Sequence, residues 1–316
     1  MFEVGNFCTN FLIVVGVYAT LQYVYDNLRS PLGVVWCLLS RKSEPFTERY
    51  GQWAVITGSS DGIGKEYAKN LARRGMNLLL ISRTESKLIK LAKYIREQYM
   101  VEVKWLVVDF SEGPQIYDRI RQELEGLDIG VLVNNVGILH THPSLFEAVP
   151  QQEIEQSITV NVWSTVMLTY MVLPEMKRRR RGMIVNMSSS SGFLPVPYMS
   201  MYSASKALVH SLTLSLQQEL RNTGVECQLI TPLIVDTDIG IQWRAMKGWN
   251  LISTEVKRYT KMAAWMIGKS DFTTGYWYHA VLIALMKLPP RWLLTKMVGI
   301  LFRYILILKS RKSRGR

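Results

Sequence analysis

The sequence is poor in the residues that build metal sites and disulfide frameworks. Of 316 residues, three are cysteine and four are histidine. Cys8, Cys37 and Cys227 are too scattered for a disulfide scaffold or a cysteine-based zinc site, and such usage suits a reducing compartment. His140, His142, His210 and His279 lack metal-ligand spacing, so no metal is expected. Acidic residues are also scarce, 25 against 38 Lys and Arg, for a net charge of +13. Such an excess can point to nucleic acid, an anionic membrane surface or anionic ligands. No nucleic-acid motif accompanies it, and much of it sits in two clusters, Lys177–Arg181 and Lys309–Arg316. The first reads as a solvated cluster closing a helix C-terminus. No internal repeat is evident.

One stretch lacks charge altogether. Val4 to Tyr25 contains no ionisable Asp, Glu, Lys or Arg and is mostly apolar, and a helix of that length spans roughly 30 Å, the hydrocarbon thickness. A membrane anchor is the reading this favours. A cleaved signal peptide fits less well, because no basic region precedes the stretch and no small-x-small site follows. A buried or interfacial helix is the remaining alternative. Arg29, Arg41 and Lys42 come just after it, so the positive-inside tendency places the rest of the chain in the cytosol. Pro31–Leu39 is apolar but too short to span, and is expected along the membrane surface. The expected division is an anchor over 1–28, a linker over 29–50, a main folded domain over 51–280 and a basic, membrane-associated extension over 281–316. Within that extension Trp292–Leu308 is apolar but carries Lys296 and Arg303, which make spanning costly and favour an interfacial helix.

From Trp53 the pattern alternates. Strands are expected at Trp53–Thr57, Asn77–Ser82, Val103–Val108, Ile129–Val133, Gly182–Met187 and Val225–Thr231. Helices are expected at Lys65–Arg74, Glu85–Tyr99, Pro114–Glu125, Glu153–Lys177 and Tyr202–Asn222. That alternation predicts an α/β fold, a Rossmann-like doubly wound parallel sheet with helices on both faces. Ligands in such sheets bind beyond the carboxyl ends of the strands.

Two stretches at such ends carry chemistry. Thr57 to Gly64 reads TGSSDGIG between a strand and a helix. Gly58, Gly62 and Gly64 let the backbone turn sharply and approach a pyrophosphate, whose charge suits the free N–H groups and positive end of the helix. Tyr202 to Lys206 reads YSASK, a tyrosine and a lysine one helical turn apart. A free phenol, with a pKa near ~10, supplies and reclaims a proton poorly at neutral pH; a neighbouring cation favours the phenolate. A serine hydroxyl can hold and polarise a carbonyl, and Ser188–Ser191 follows the fifth expected helix-covered strand. Arg83 stands where an acid would select the ribose 2′-hydroxyl of NAD(H). Its planar fork suits a 2′-phosphate instead, with Lys65 adding charge nearby, so NADP(H) is favoured.

The TGxxxGIG spacing, the NNVG run Asn134–Gly137, the serine run and YSASK together resemble the short-chain dehydrogenases/reductases. The likeness runs from about Gly51 to about Gly275. Within the family the chain is similar to a membrane-linked branch of 17-beta-hydroxysteroid dehydrogenases, very-long-chain 3-oxoacyl-CoA reductases and hydroxysteroid dehydrogenase-like proteins. Tyr50–Val55, Asp61–Lys65, Ile81–Arg83, Leu132–Gly137 and the TTGYW segment carry that likeness. The resemblance implies a catalytic set of Asn161, Ser189, Tyr202 and Lys206, with Ser188 and Ser190 as alternatives for the serine and Asn161 positioning a water that relays protons to the lysine. It implies cofactor contacts from Gly58, Ser59, Ser60, Asp61, Gly62, Ile63, Gly64, Arg83, Asp109, Asn135, Gly137, Tyr202, Lys206, Pro232 and Thr237. Val136 replaces the family's usual alanine and Leu233 its glycine, the latter putting the local backbone course in doubt.

The resemblance implies reduction of a lipophilic ketone, a steroid or a long-chain 3-oxoacyl-CoA, at the endoplasmic reticulum membrane. Some hydroxysteroid dehydrogenase-like members have lost the tyrosine and are thought inactive, so a silent NADP(H)-binding scaffold is the alternative; Tyr202 argues for activity. Family members often pair through the helices around Asn161 and Tyr202, which allows a homodimer. Asp238–Thr274 is the expected substrate lid. Its Trp243, Met246, Trp249, Tyr259, Met262, Trp265 and Met266 suit either a bulky apolar substrate or internal packing. Thr273–Trp277 reads as a tight turn into a last strand.

Overall fold

The computed structural model describes residues 2–39, 45–139, 143–237 and 253–314. Its centre is a seven-stranded sheet in the order β3-β2-β1-β4-β5-β6-β9. The strands are β1 (Trp53–Thr57), β2 (Asn77–Ser82), β3 (Val103–Val107), β4 (Ile129–Asn134), β5 (Gly182–Met187), β6 (Val225–Ile230) and β9 (Phe272–Thr273), all parallel. The inner strands β1, β4 and β5 are buried along their whole length, as continuous apolar runs such as WAVIT require when helices cover both faces. A small pair, β7 (Ile234–Asp236) with β8 (Ser253–Glu255), lies outside the main sheet.

Two apolar layers flank the sheet. One contains Tyr67, Leu71, Leu88, Ile95, Val131 and Val185, and is covered by α3 (Gly62–Ala72), α4 (Glu85–Tyr99) and α9 (Val256–Trp265), with α2 (Phe46–Arg49) at its edge. The other contains Val55, Leu79, Ile120, Leu132, Leu168 and Ile184, under α5 (Ile116–Leu124), α7 (Ser164–Arg179) and α8 (Ser200–Glu219). The strand order reverses between β1 and β4, which opens a crevice at their carboxyl ends, Thr57 and Asn134.

Four expectations need correction. The N-terminal helix does not stop near residue 28: α1 runs Phe2–Leu39 with Pro31 inside it. Its second half docks on the body instead of lying free as a linker. Val34 and Cys37 are buried against Met266 and Ala280, Arg29 pairs with Asp271 at 3.0 Å, and the Tyr23 hydroxyl donates to the carbonyls of Lys287 and Leu288. The segment after Thr273 turns into a helix, α10 (Trp277–Met286), with β9 preceding the turn. The expected helix over Glu153–Lys177 is interrupted: α6 (Gln151–Ile158) and α7 are joined by a π-turn, Thr159–Trp163. The Lys177–Arg181 cluster is only partly solvated, because Arg179 and Arg181 both pair with Asp128 and Arg179 donates to the Ile129 carbonyl at 2.7 Å. Those bonds fix the start of β4 to the end of α7.

Among the lid residues, Tyr259 and Met266 are buried, and Met262 and Trp265 pack against α1, so these four serve packing. Trp243, Met246 and Trp249 lie outside the described residues, as do His140 and His142. The C-terminal helix is α11 (Arg291–Arg314).

Candidate active site

The glycine loop leaves β1 and enters α3. Gly58 and Gly62 adopt φ +61° and +54°, where a side chain is strained. Gly64 has a negative φ but no room: a Cβ there would strike the Gly58 carbonyl and the Asn135 side-chain amide. This close approach of backbone to backbone forms a cradle at the N-terminus of α3, the arrangement that suits a pyrophosphate. Asp61 caps that helix, its Oδ1 accepting from Gly62 N at 2.9 Å while Oδ2 pairs with Lys87 at 2.6 Å.

Asn135 braces the loop. Its Nδ2 donates to the Thr57 carbonyl at 2.9 Å, and the backbone N–H groups of Asn135 and Val136 donate to Thr57 Oγ1 at 3.0 and 2.9 Å. Below it Asn134 donates to Thr169 and Asn186, and Asn186 donates to Thr213. This buried polar ladder ties β4 and β5 to α7 and α8. Its members are largely paired, as a low-dielectric core demands.

The end of β2 abuts the loop, with Ser60 Oγ and Ser82 Oγ 2.8 Å apart. Arg83 next to it is exposed, and its side chain makes no hydrogen bond or ion pair among the described residues. Asp109, at the end of β3, caps the short turn Phe110–Glu112 by accepting from Ser111 N and Oγ. Arg83 and Asp109 therefore flank the crevice rim, away from the tyrosine.

Asn161, Ser189, Tyr202 and Lys206 converge on the other side of the crevice. Asn161 sits in the π-turn and is buried; it accepts from Ile138 N and donates to Ile138 O and to Ser205 Oγ. Lys206 is buried, and its Nζ donates to the Met187 carbonyl at 3.0 Å. A Cβ added at Gly137 would lie 3.3 Å from Lys206 Nζ and 3.4 Å from Asn161 Oδ1, so Gly137 brings the two together by having no side chain. Of the serine run, Ser189 is the one whose hydroxyl lies near enough to Tyr202 to act on its phenol, whereas Ser188 Oγ turns to the Lys206 carbonyl at 2.8 Å. The geometry thus singles out Ser189.

Burial lowers the Lys206 ammonium to about 8, since a low-dielectric setting disfavours its charged form. Burial raises the Tyr202 phenol, and the hydrogen bond from Ser189 acts against that rise. The Lys206 ammonium stands over the Tyr202 ring, 5.9 Å from its centre, while it donates to the Met187 carbonyl.

Pro232 and Thr237 close the site. The Pro232 carbonyl accepts from Ser190 N at 2.9 Å, and the Thr237 methyl lies 3.2 Å from where a Gly62 Cβ would be. A cleft lined by Asp61, Gly62, Lys65, Asp236 and Thr237 opens between the loop and β7. Sequence reasoning missed the residue that moors this segment. His279 on α10 is buried; its Nδ1 accepts from Leu233 N at 3.3 Å, and its Nε2 is 3.1 Å from Thr254 Oγ1. The sequence held no signal for it, since the Leu233 N–H that His279 meets is one that any residue but proline would present.

A parallel α/β sheet with a glycine cradle at its switch point and a Ser-Tyr-Lys cluster across the crevice defines a dinucleotide-dependent oxidoreductase. The profile of the short chain dehydrogenase family matches residues 52–248, and the chain belongs to that family, whose members bind a nicotinamide cofactor. It is 39% identical over 284 residues to a very-long-chain 3-oxoacyl-CoA reductase of Rattus norvegicus, covering 89% of this chain and 88% of that protein. It is 38% identical over 246 residues to the Homo sapiens protein named inactive hydroxysteroid dehydrogenase-like protein 1, covering 78% and 74%. Among solved structures, a short-chain dehydrogenase from Sphingobium yanoikuyae in complex with NADPH superposes with a TM-score of 0.65 at 32% identity, covering 71% of this chain and 86% of that one.

Proposed function

We propose that the protein is an NADPH-dependent reductase of a lipophilic ketone, with a long-chain 3-oxoacyl-CoA as the favoured substrate and a steroid ketone as the second. One observation carries the catalytic part: Lys206 is buried one helical turn from Tyr202, with Gly137 bringing its ammonium close to Asn161 and with the Ser189 hydroxyl beside the phenol. The substrate preference comes from the reductase relative, which matches along nearly nine-tenths of both chains.

The residues fit a dinucleotide. The Gly58–Gly64 cradle would hold the pyrophosphate, Arg83 and Lys65 a 2′-phosphate, Asp109 the adenine end, and Asn135, Gly137, Pro232 and Thr237 the nicotinamide end. When bound, that cofactor supplies a hydride to the carbonyl carbon. Ser189 donates a hydrogen bond to the carbonyl oxygen and orients it. Tyr202 donates its proton to that oxygen as negative charge develops there. Lys206 stabilises the phenolate that remains, and the Asn161 clamp holds the route by which a water reaches Lys206 to replace the proton.

Membrane attachment follows from α1. It is long and apolar enough to cross a bilayer, and Phe11, Leu12, Ile13, Val17, Tyr18 and Leu21 are exposed along it. The proposed site is the endoplasmic reticulum membrane, with the catalytic domain on the cytosolic side, where Arg29 and the following basic residues favour it.

The test is NADPH oxidation by detergent-solubilised protein with a 3-oxoacyl-CoA and a steroid ketone, with Tyr202→Phe as control. Turnover with one ketone that falls about 10²- to 10⁴-fold in the variant, with folding intact, is the expected result. Unchanged turnover in Tyr202→Phe sinks the mechanism. A second reading, a silent cofactor-binding scaffold, is favoured by the phenol's raised pKa and by the relative named inactive. NADPH binding with neither ketone reduced would support it.

A further inference from the structure

The C-terminal helix reaches the apolar cluster in which Tyr202 takes part. Along α11, Thr295, Gly299, Phe302 and Leu306 are half-buried, while Trp292, Met297, Ile300, Leu301 and Tyr304 are exposed. That spacing gives one face turned to the body and one turned away. The inward face sits close: a Cβ added at Gly299 would be 3.3 Å from Pro197. Pro197 belongs to the segment between Ser189 and Tyr202. There Tyr198 holds φ +66°, and its carbonyl accepts from Ser144 N at 2.9 Å, so α11 rests on a braced surface.

One turn further, Phe302 joins the apolar cluster around Met199 that also holds Leu139, Val196, Tyr202 and Ile234. These residues come from the loop after β4, the segment before α8, α8 itself, β7 and α11. None of them is charged. The glycine cradle and Asn135 lie on the cofactor side of the crevice, so this apolar cluster is the neighbour of Tyr202 that suits the flanking carbons of a ketone. Phe302 is the one aromatic ring in this cluster besides Tyr202, and the C-terminal helix carries it there.

We propose that Phe302 is a specificity-determining residue: it closes the apolar mouth beside Tyr202 and contacts the carbons next to the reacting carbonyl, admitting a narrow linear chain more readily than a fused-ring ketone. This rests on the ketone-reductase reading above. A phenyl ring at this place would narrow the mouth, and its position would follow from where α11 seats on Pro197. The outward face of α11, apolar with Lys296 and Arg303 among its exposed residues, suits the bilayer surface where such chains reside.

The experiment uses the full-length protein in detergent micelles, with Phe302→Ala and Phe302→Trp. The readout is the ratio of kcat/KM for a steroid ketone to that for a linear 3-oxoacyl-CoA. A merely structural role would lower both values together and leave the ratio fixed. The expected result is a ratio raised about 10-fold or more in Phe302→Ala and lowered in Phe302→Trp. A ratio unchanged in both variants overturns the proposal. A second arm needs no turnover: a 3-oxoacyl-CoA with a diazirine near the carbonyl is photolysed on the wild-type protein. Labelling of the tryptic peptide Met297–Arg303 supports the proposal even if the protein reduces neither ketone, in which case the reductase reading alone fails. Labelling confined to other segments, or none, overturns it.

Discussion

Asn161 grips Ile138 at both ends of its peptide groups: Oδ1 accepts from Ile138 N at 2.7 Å, and Nδ2 donates to Ile138 O at 3.0 Å. The clamp fixes the segment after β4 that carries Gly137, and so fixes the approach of Gly137 to Lys206. It depends on the π-turn, which widens the helix by one residue and turns an amide inward that a regular turn would direct elsewhere. Asn161→Ala leaves two half-buried backbone groups, the Ile138 N–H and carbonyl, without their partner, which costs about 1–3 kcal/mol. A thermal melt should show a Tm lower by several degrees, together with a loss of turnover larger than the stability change explains. A variant with wild-type Tm would mean that the clamp carries no load.

The proposed preference for NADPH rests on Arg83. It stands exposed at the end of β2 with its side chain unpaired among the described residues, next to the Ser60–Ser82 contact that abuts the glycine loop. A charge-assisted hydrogen bond to a phosphate is worth about 1.5–3 kcal/mol, so Arg83→Ala should weaken NADPH binding by about 10- to 100-fold. NADH binding should change little. Fluorescence titration with both cofactors checks this, and equal losses for both would assign Arg83 to general electrostatics.

Lys206 makes a pH prediction whose sign is fixed. Its ordinary pKa of 10.5 is lowered to about 8 by burial. Between these values the unfolded chain holds a proton that the folded protein lacks, so this group makes stability rise with pH through that window. Below about 8 the buried ammonium costs the fold on the order of 3 kcal/mol. Denaturant melts of wild type and Lys206→Met from pH 7.5 to 10.5 isolate the group. The difference should favour the variant at the acid end and shrink as pH rises. Parallel curves would show that Lys206 titrates normally.

The sheet was readable because its inner strands are uninterrupted apolar runs set between helices, a pattern with one good solution. The cradle was readable because glycines at its tight points have no substitute: Gly64 abuts the Gly58 carbonyl, and no other residue fits. What escaped is what periodicity does not encode. The π-turn at Asn161 changes the helical register by one residue over a stretch of Thr, Val and Trp that reads simply as helix. The docking of α1 is carried by Val34 and Cys37 meeting Met266 and Ala280, a contact between segments more than two hundred positions apart. An aromatic, Met-rich lid suits a substrate or a core equally well, and only burial told them apart for Tyr259 and Met266. Ser189 could be separated from Ser188 only by direction, one turned to Tyr202 and the other to the Lys206 carbonyl.

His279 illustrates the same point and yields the last prediction. Burial lowers its pKa from 6.5 to about 4, so the ring is neutral at physiological pH. Nδ1 is then an acceptor for Leu233 N, and Nε2 carries the proton toward Thr254 Oγ1. The rings of Tyr259 and Tyr276 pack on it at 5.4 and 5.7 Å, and neither offers a counter-charge. Protonation at Nδ1 would set two donors face to face and release Leu233, the first residue of the run that ends at Thr237. The unfolded chain binds this proton below 6.5 and the folded protein resists it down to about 4, so stability falls as pH falls through that window. The affinity for NADPH should fall with it, because Thr237 loses its mooring against Gly62. His279→Gln keeps an acceptor and a donor but cannot titrate there. Its NADPH dissociation constant, measured by fluorescence from pH 7 to pH 5, should vary less than that of the wild type. If the two profiles coincide, the acid sensitivity of the site arises elsewhere and His279 is a packing residue.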